Sequence, residues 1–458
     1  MAITKRFSDF ANGLRLEDLP DAVVAKARLL ILDTIGVAIG SSALDFGRQA
    51  LALATEWPDD NGNSLIGRTQ RVAPHHAAMI NGILAHGQDY DDTHTESVVH
   101  SSGALVPAML ACAERDKVSG AVALTAFVAA TEMSLRLALP ARNAFHLGGF
   151  HTTSVACTFG TALMSSMTAG RSQDQLLQAL GICGSFASGL LECVPAASAA
   201  KRLHAGWAGL CGIIAADLAR VGFTGPSTVI EGRLGLYNSM LRGQSFDFEE
   251  MFADIGTRWH LLDIRPKLYP CCHYLQAFID CAARLRTEPG FDLSRITTIH
   301  ARVAAGSVNM ICEPWAFKIA PKTGYDARFS LAYAIGTMLV RGRAGHVEFH
   351  EDSLNDPVIL DLMSKVSYEI DPSYTVKDMP GLVAIEYDDG RTSVESLAAV
   401  RGDAEQPISA EELLSKFYDC TAGFDRAQAK WIAERVMSFE KGESVSDLTH
   451  ALASIAPR

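Results

Sequence analysis

The chain has 458 residues, 48% of them hydrophobic and 20% charged, with a formal net charge of −12. Such a composition suits a globular protein of two or three domains. The negative balance argues against nucleic-acid and anionic-membrane partners, and any anionic substrate would need a local basic pocket.

The first twenty residues, MAITKRFSDFANGLRLEDLP, have no apolar core of the signal-peptide kind. The longest apolar runs, such as 103–113, are short of a membrane span. Ten scattered cysteines form no C-x-x-C pair, which favours buried reduced thiols and a cytoplasmic location.

In chain order, 20–40 reads as a helix with an early Pro and a terminal Gly. The stretches 42–57, 74–93, 103–117, 119–136, 153–169, 173–192 and 203–221 are also helix-like and rich in Ala and Leu. Their many small residues allow close helix packing. Together they predict a large all-helical domain over 1–265. After Pro266 the texture changes. ITTIHARV (296–303), LVAIEY (382–387) and Ser393–Val400 read as strands, with Asp388-Asp389-Gly390 as a turn and 325–341 as a helix. Residues 266–404 therefore predict a smaller α+β domain. The tail, 405–458, is helical again from Ser409, an N-cap candidate, and is expected to complete the first domain. The fold class expected is mainly α.

The stretch 81–100, NGILAHGQDYDDTHTESVVH, holds the densest group of chemistry-bearing residues. If the helix runs through Thr93, then Asn81, Ala85, Asp89 and Thr93 share one stripe and Asp91 points away. Three aspartates near a helix C-terminus oppose the dipole, so they need partners. Seven of the fourteen histidines fall between His75 and His151. His151 precedes a helix whose N-terminal N–H groups favour anions. KRLHAG (201–206) places Lys201, Arg202 and His204 at another helix start. RPKLYPCCHY (265–274) places Arg265, Lys267, Tyr269, His273 and Tyr274 at the domain boundary. These clusters supply the positive charge a polycarboxylate would require. No G-x-G-x-x-G, P-loop, G-x-S-x-G or H-E-x-x-H occurs. A metal held by His86, Asp89, Asp92, His94 and His100 is an alternative, although their spacing fits no standard motif.

The ordered set ILDTIGVAIG (31–40), NGILAHGQDYDDTH (81–94), HSSGALVPAML (100–110), GFHTTS (149–154), KRLHAGWAG (201–209), GFTGPSTVIEG (222–232), KLYPCCHY (267–274), ARFSLAYAI (327–335) and VRGDAEQPISAEELLSKF (400–417) resembles the MmgE/PrpD family. That family includes 2-methylcitrate dehydratase, cis-aconitate decarboxylase and iminodisuccinate epimerase. The resemblance implies a helical domain with an α+β lid, a homodimer, and a site between the domains that uses no metal or organic cofactor. It implies functional positions at Asp89, Thr93, His100, His151, Lys201 and Lys267, with Tyr325 as a further one.

The resemblance also implies the chemistry: moving a proton at a carbon beside a carboxylate of a small di- or tricarboxylate. Lys201 and Lys267 would hold carboxylates and stabilise the developing charge. His100 and His151 would be acid and base, and Asp89 would orient a histidine or lysine. Thr93, His204, His273 and Tyr325 would bind substrate. T-H-x-x-S-x-x-H (93–100) resembles the epimerase branch, whereas HSSGALVP resembles the decarboxylase with Ser101 in place of Pro. Dehydration, decarboxylation and epimerisation all stay open. The rival readings are a metal-dependent hydrolase built on 86–100 and a non-catalytic helical scaffold.

Overall fold

The computed structural model describes residues 2–194, 196, 198–403 and 406–457. The chain forms two compact units. One comprises Met1–Gly87, Asp91–Pro266 and Ser409–Arg458; the other comprises Gln88–Tyr90 and Lys267–Ile408. The boundary expected at 404–405 lies outside the described residues. The transfer of Gln88–Tyr90 to the second unit has no counterpart in the sequence pattern. The protein is mainly α, with twenty α-helices among the described residues.

The first unit is built around the helices Asp21–Ser42, Pro74–His86, Ser101–Asp116, Gly120–Ala138, Thr152–Thr168 and Leu203–Arg220. Several are buried on nearly every face, as helices that are apolar all round must be. Helix Gly120–Ala138 has the length and hydropathy of a membrane span, yet 89% of its apolar window is buried inside the protein. Its polar residues explain why it belongs in a core. Arg136 pairs with Glu132 at 2.9 Å and with Asp254 at 2.7 Å, and donates to the carbonyls of Met251 and Arg258. A guanidinium with its donors so engaged can be buried.

Small residues set the helix spacing. A Cβ on Gly206 would lie 2.2 Å from the Met79 carbonyl oxygen, and one on Gly82 would lie 2.5 Å from Gly206 Cα. Helix Pro74–His86 therefore meets helix Leu203–Arg220 backbone to backbone. Gly36 and Gly40 serve the tail in the same way, beneath Phe417 and Cys420 of helix Ala410–Cys420. Ser409 caps that helix in a reciprocal box with Glu412. Lys416 pairs with Asp33 at 2.7 Å, both buried.

Helix Pro74–His86 is seven residues shorter than expected, so the stripe from Asn81 to Thr93 does not exist. Gly87 caps the helix and Asp89 turns left-handed at φ 55°. The helix expected over 173–192 ends at Cys183, before Gly184. An antiparallel hairpin, β1 (Pro58–Leu65) and β2 (Arg68–Val72), was not expected. Its first strand, PDDNGNSL, has neither alternation nor β-branched residues.

The second unit carries the sheet β3 (Ile296–Val303), β4 (Val366–Ile370), β5 (Gly381–Tyr387) and β6 (Thr392–Leu397), in the order β4-β3-β5-β6. β3 pairs parallel with β4 and antiparallel with β5, which pairs antiparallel with β6. Fully buried and more accessible positions alternate along β5, the pattern that betrayed it in sequence. β4 is an edge strand with only one of its five residues buried, and its pattern gave no warning.

Gly206→Ala should destabilise the first unit by about 1–3 kcal/mol, because the added methyl overpacks a backbone contact. Thermal unfolding of the variant beside the wild type measures this; an unchanged midpoint would show that the helices can separate freely.

Candidate active site

Three helix N-termini bring the predicted residues of the first unit together. His100 is the N-cap of helix Ser101–Asp116 and His151 that of helix Thr152–Thr168. Lys201 lies in the turn Ala199–Arg202 that leads into helix Leu203–Arg220, whose second residue is His204. Helix N-termini carry partial positive charge and unpaired N–H groups, so the convergence favours an anion. His100 is locked in place from both sides. Its backbone N–H donates to Thr153 Oγ1 at 2.9 Å. Before it, the chain reverses between His94 and Val99, which pair through their backbones. That turn forces Val98 to φ 56°, a strained state for a β-branched residue.

Five imidazoles pack here. His151 is 1% exposed, and its ring centroid lies 5.1 Å from that of His204, 5.6 Å from His86 and His146, and 5.9 Å from His100. Burial lowers the pKa of His151 well below the usual imidazole value, and Lys201 and the neighbouring histidines push the same way. His146 is lowered to about 4 by burial and Lys201, and His204 to about 4 by burial, His86 and Lys201. His146, His151 and His204 are therefore neutral near pH 7.

Hydrogen bonds define which nitrogens are bare. His100 Nδ1 lies 2.8 Å from the Asp92 carbonyl oxygen, which can only accept, so Nδ1 carries the proton and Nε2 is basic. Thr93 Oγ1 lies 3.0 Å from the same Nδ1, and the Thr93 backbone pairs with Arg265. Thr93 thus supports His100. His86 Nδ1 donates to Asp91 Oδ2 at 2.7 Å, both side chains buried, which leaves His86 Nε2 bare. Nε2 of His86 and of His151 are buried and have no hydrogen-bond partner among the described residues. Asp92 accepts from the Ser102 N–H, and burial raises its carboxyl to about 7.

His146 was not singled out, His86 was weighed only as a metal ligand, and Asp91 was expected to point away. A helix running through Thr93 would turn Asp91 away from the stripe, whereas the real chain leaves the helix at His86 and brings Asp91 back to it. The i,i+5 spacing of His86 and Asp91 carried no signal without the Gly87 break.

In the second unit, Lys267 is 1% exposed and donates to the Asp89 carbonyl oxygen at 2.7 Å, with Asp89 Oδ2 at 3.3 Å. The left-handed backbone at Asp89 lets one residue present both oxygens. Aspartate tolerates that conformation better than most. Tyr90 donates to the Leu268 carbonyl and Arg328 to the Gln88 carbonyl, which fixes 88–90 against Lys267. His273 is buried in the turn His273–Leu275, and Tyr325 packs on Phe329 in the short helix Gly324–Ala327. Burial pushes the Cys271 thiol well up, so it is no nucleophile.

Two groups have ligand atoms close enough for a metal: His86, Asp91 and His100, and separately His94, His260 and Asp263. In the first, His86 Nδ1 and Asp91 Oδ2 are committed to each other and His100 Nδ1 to a carbonyl. In the second, Arg258 pairs with Asp263 at 3.2 Å, and Arg136 and Arg258 both bear on His260, which opposes another cation. His94 Nδ1 already accepts the Ser97 N–H. In the first group the bond from His86 Nδ1 to Asp91 orients the ring without using its Nε2, so it does not compete with ligation there. The five-residue metal set expected from 86–100 is not the one that converges.

His146 binds no proton in the fold near pH 5–6 but would bind one when unfolded, so its contribution to stability is full above about 6.5 and falls as pH drops toward 4. His146→Gln should remove that loss. Its midpoint relative to wild type should improve from pH 7.5 to pH 5 by the equivalent of about 1 kcal/mol, discounted for partial exposure. A difference independent of pH would contradict the assignment.

Residues 5–249 match the MmgE/PrpD N-terminal domain and residues 269–438 the MmgE/PrpD C-terminal domain. Cis-aconitate decarboxylase of Aspergillus terreus is 27% identical over 98% of this chain and 96% of its own. Cis-aconitate decarboxylase of Homo sapiens is 28% identical over 91% and 87%, and the cis-aconitate decarboxylase-like protein oryM of Aspergillus oryzae 26% over 97% and 96%. Both halves of the family pattern are thus present, in order and nearly end to end, and the chain belongs to the MmgE/PrpD family.

Proposed function

We propose that the protein is a cofactor-independent lyase that decarboxylates a small unsaturated tricarboxylate of the cis-aconitate type. The observation that carries this reading is the meeting of His100, His151, His204 and Lys201 at three helix N-termini. Such a place attracts carboxylates and offers imidazole nitrogens in the same few ångströms. The names of the similar proteins favour decarboxylation over the two other reactions of the family.

Loss of CO2 breaks one C–C bond. The electron pair left behind spreads through the conjugated double bond and its carboxylate, and one proton at carbon ends the reaction. Lys201 and the helix termini stabilise that charge as it forms. His100 or His151 delivers the proton through Nε2. A bound carboxylate raises the pKa of the imidazoles it faces, which makes them competent acids only when substrate is present. Lys267 keeps the carboxylate-holding role implied for it, with Asp89 orienting it. His86, oriented by Asp91, lies 5.2 Å from His100, ring to ring, and holds its neighbours in position.

Purified protein given cis-aconitate in D2O should release CO2 and leave one solvent deuterium on carbon in the product. Solvent deuterium without loss of carbon would replace decarboxylation by another reaction of the family, and unchanged substrate would reject the proposal. Activity should survive dialysis against a chelator. His100→Ala should lower turnover about 10²–10⁴-fold while the protein stays folded. Full activity in that variant would remove His100 from the reaction.

A further inference from the structure

His151 Nδ1 and His204 Nδ1 face each other at 3.1 Å. Two bare nitrogens at that distance repel, and two N–H groups collide, so one hydrogen lies between them and belongs to one ring at a time. The state of each Nε2 follows. When His151 owns the shared hydrogen, a neutral His151 has a bare Nε2 and His204 carries its proton on Nε2. When His204 owns it, the pattern reverses.

We propose that His204 is the relay partner of His151: the hydrogen shared between their Nδ1 atoms lets His151 Nε2 alternate between donor and acceptor while His204 carries the charge. The protons balance. The loaded pair holds three, with His204 protonated on both nitrogens and neutral His151 protonated on Nε2. His151 Nε2–H passes to the substrate carbon as His204 Nδ1–H passes to His151 Nδ1. Both rings end neutral with two protons between them, and the carbanion has gained one. The pair reloads when His151 Nε2 takes a proton from water or from the acid that initiates the next cycle and the shared hydrogen returns to His204 Nδ1, which leaves the charge on His204.

The positions of the two rings favour this division. His151 is 1% exposed and faces Lys201, His86, His146 and His100, whereas His204 is 7% exposed and faces His86 and Lys201. Positive charge is therefore less opposed on His204. The buried Nε2 of His151 has no hydrogen-bond partner among the described residues, so it is available to a substrate. This assignment replaces the substrate-binding role expected for His204. The use of the relay in turnover rests on the reaction proposed above; the shared hydrogen does not.

Two measurements separate the two ideas. In protein labelled with ¹⁵N-histidine, the two Nδ1 atoms should show a coupling across their hydrogen bond, with one ring protonated on Nδ1 and the other on Nε2. Two Nε2–H tautomers without coupling would overturn the relay, whatever the enzyme does. With cis-aconitate, His204→Gln should lower kcat about 10²-fold with KM within about twofold of wild type, as expected for a lost proton donor. It should also shift the pH profile and recover partly with added imidazole. A raised KM with intact kcat would make His204 a substrate ligand and overturn the proposal. If the wild type ignores cis-aconitate, the proposed reaction fails and the ¹⁵N spectrum of the wild type alone decides the relay. The same spectrum decides it if His204→Gln does not fold.

Discussion

Imidazoles whose centroids stand 5–6 Å apart beside a lysine cannot all be charged. At an effective dielectric of 20, each charged pair at that distance would cost about 3 kcal/mol. Burial keeps His146, His151 and His204 neutral, and a neutral ring has one donor and one acceptor. Chemistry then depends on which nitrogen holds the hydrogen. The Asp92 carbonyl decides for His100, the Asp91 carboxylate for His86, and His204 for His151. Two of the three deciders come from adjacent residues, Asp91 and Asp92, of the loop that follows helix Pro74–His86.

That loop exists because the helix stops. Gly87 caps it and Asp89 reverses the backbone, so three aspartates that would have lined a helix end go to three separate tasks. Asp89 serves Lys267 in the second unit, Asp91 orients His86, and Asp92 gives its carbonyl to His100 and its carboxyl to the Ser102 N–H. The glycine contact between Gly82 and Gly206 sets how closely helix Leu203–Arg220 approaches, and with it the position of His204 two residues earlier. Local backbone choices a few residues away thus decide the protonation pattern of the cluster.

Much of this was legible in the sequence, and the failures have two causes. Helix cores announced themselves through long Ala- and Leu-rich stretches, and β3 and β5 through alternating β-branched residues. The polar strand Pro58–Leu65 and the exposed edge strand Val366–Ile370 lacked that signal. His151, Lys201 and His204 were legible because each lies at a helix start, a position that a cap or a charge marks in one dimension, and His100 through the crowding of 81–100 and the family resemblance. His86 and Asp91 were not, because their pairing depends on where a helix ends, and terminal positions are the least determined by periodicity. Asp89 was singled out for a helical stripe it does not occupy; its pairing to Lys267 is instead a contact between residues 178 apart in sequence.

The scaffold alternative fails on energy. A buried polar atom with no partner costs about 1–3 kcal/mol, and His86 Nε2 and His151 Nε2 are both of this kind among the described residues. The strained φ of Val98, just before His100, adds about 1–3 kcal/mol more. A protein under selection for rigidity alone would lose these features through ordinary substitution, since an apolar side chain in either histidine position removes the unpaired nitrogen. Their concentration within a few residues of three helix N-termini is instead what a site looks like when stability is given up for reactivity. Of the two unpaired nitrogens, that of His151 is the one proposed above to move a proton.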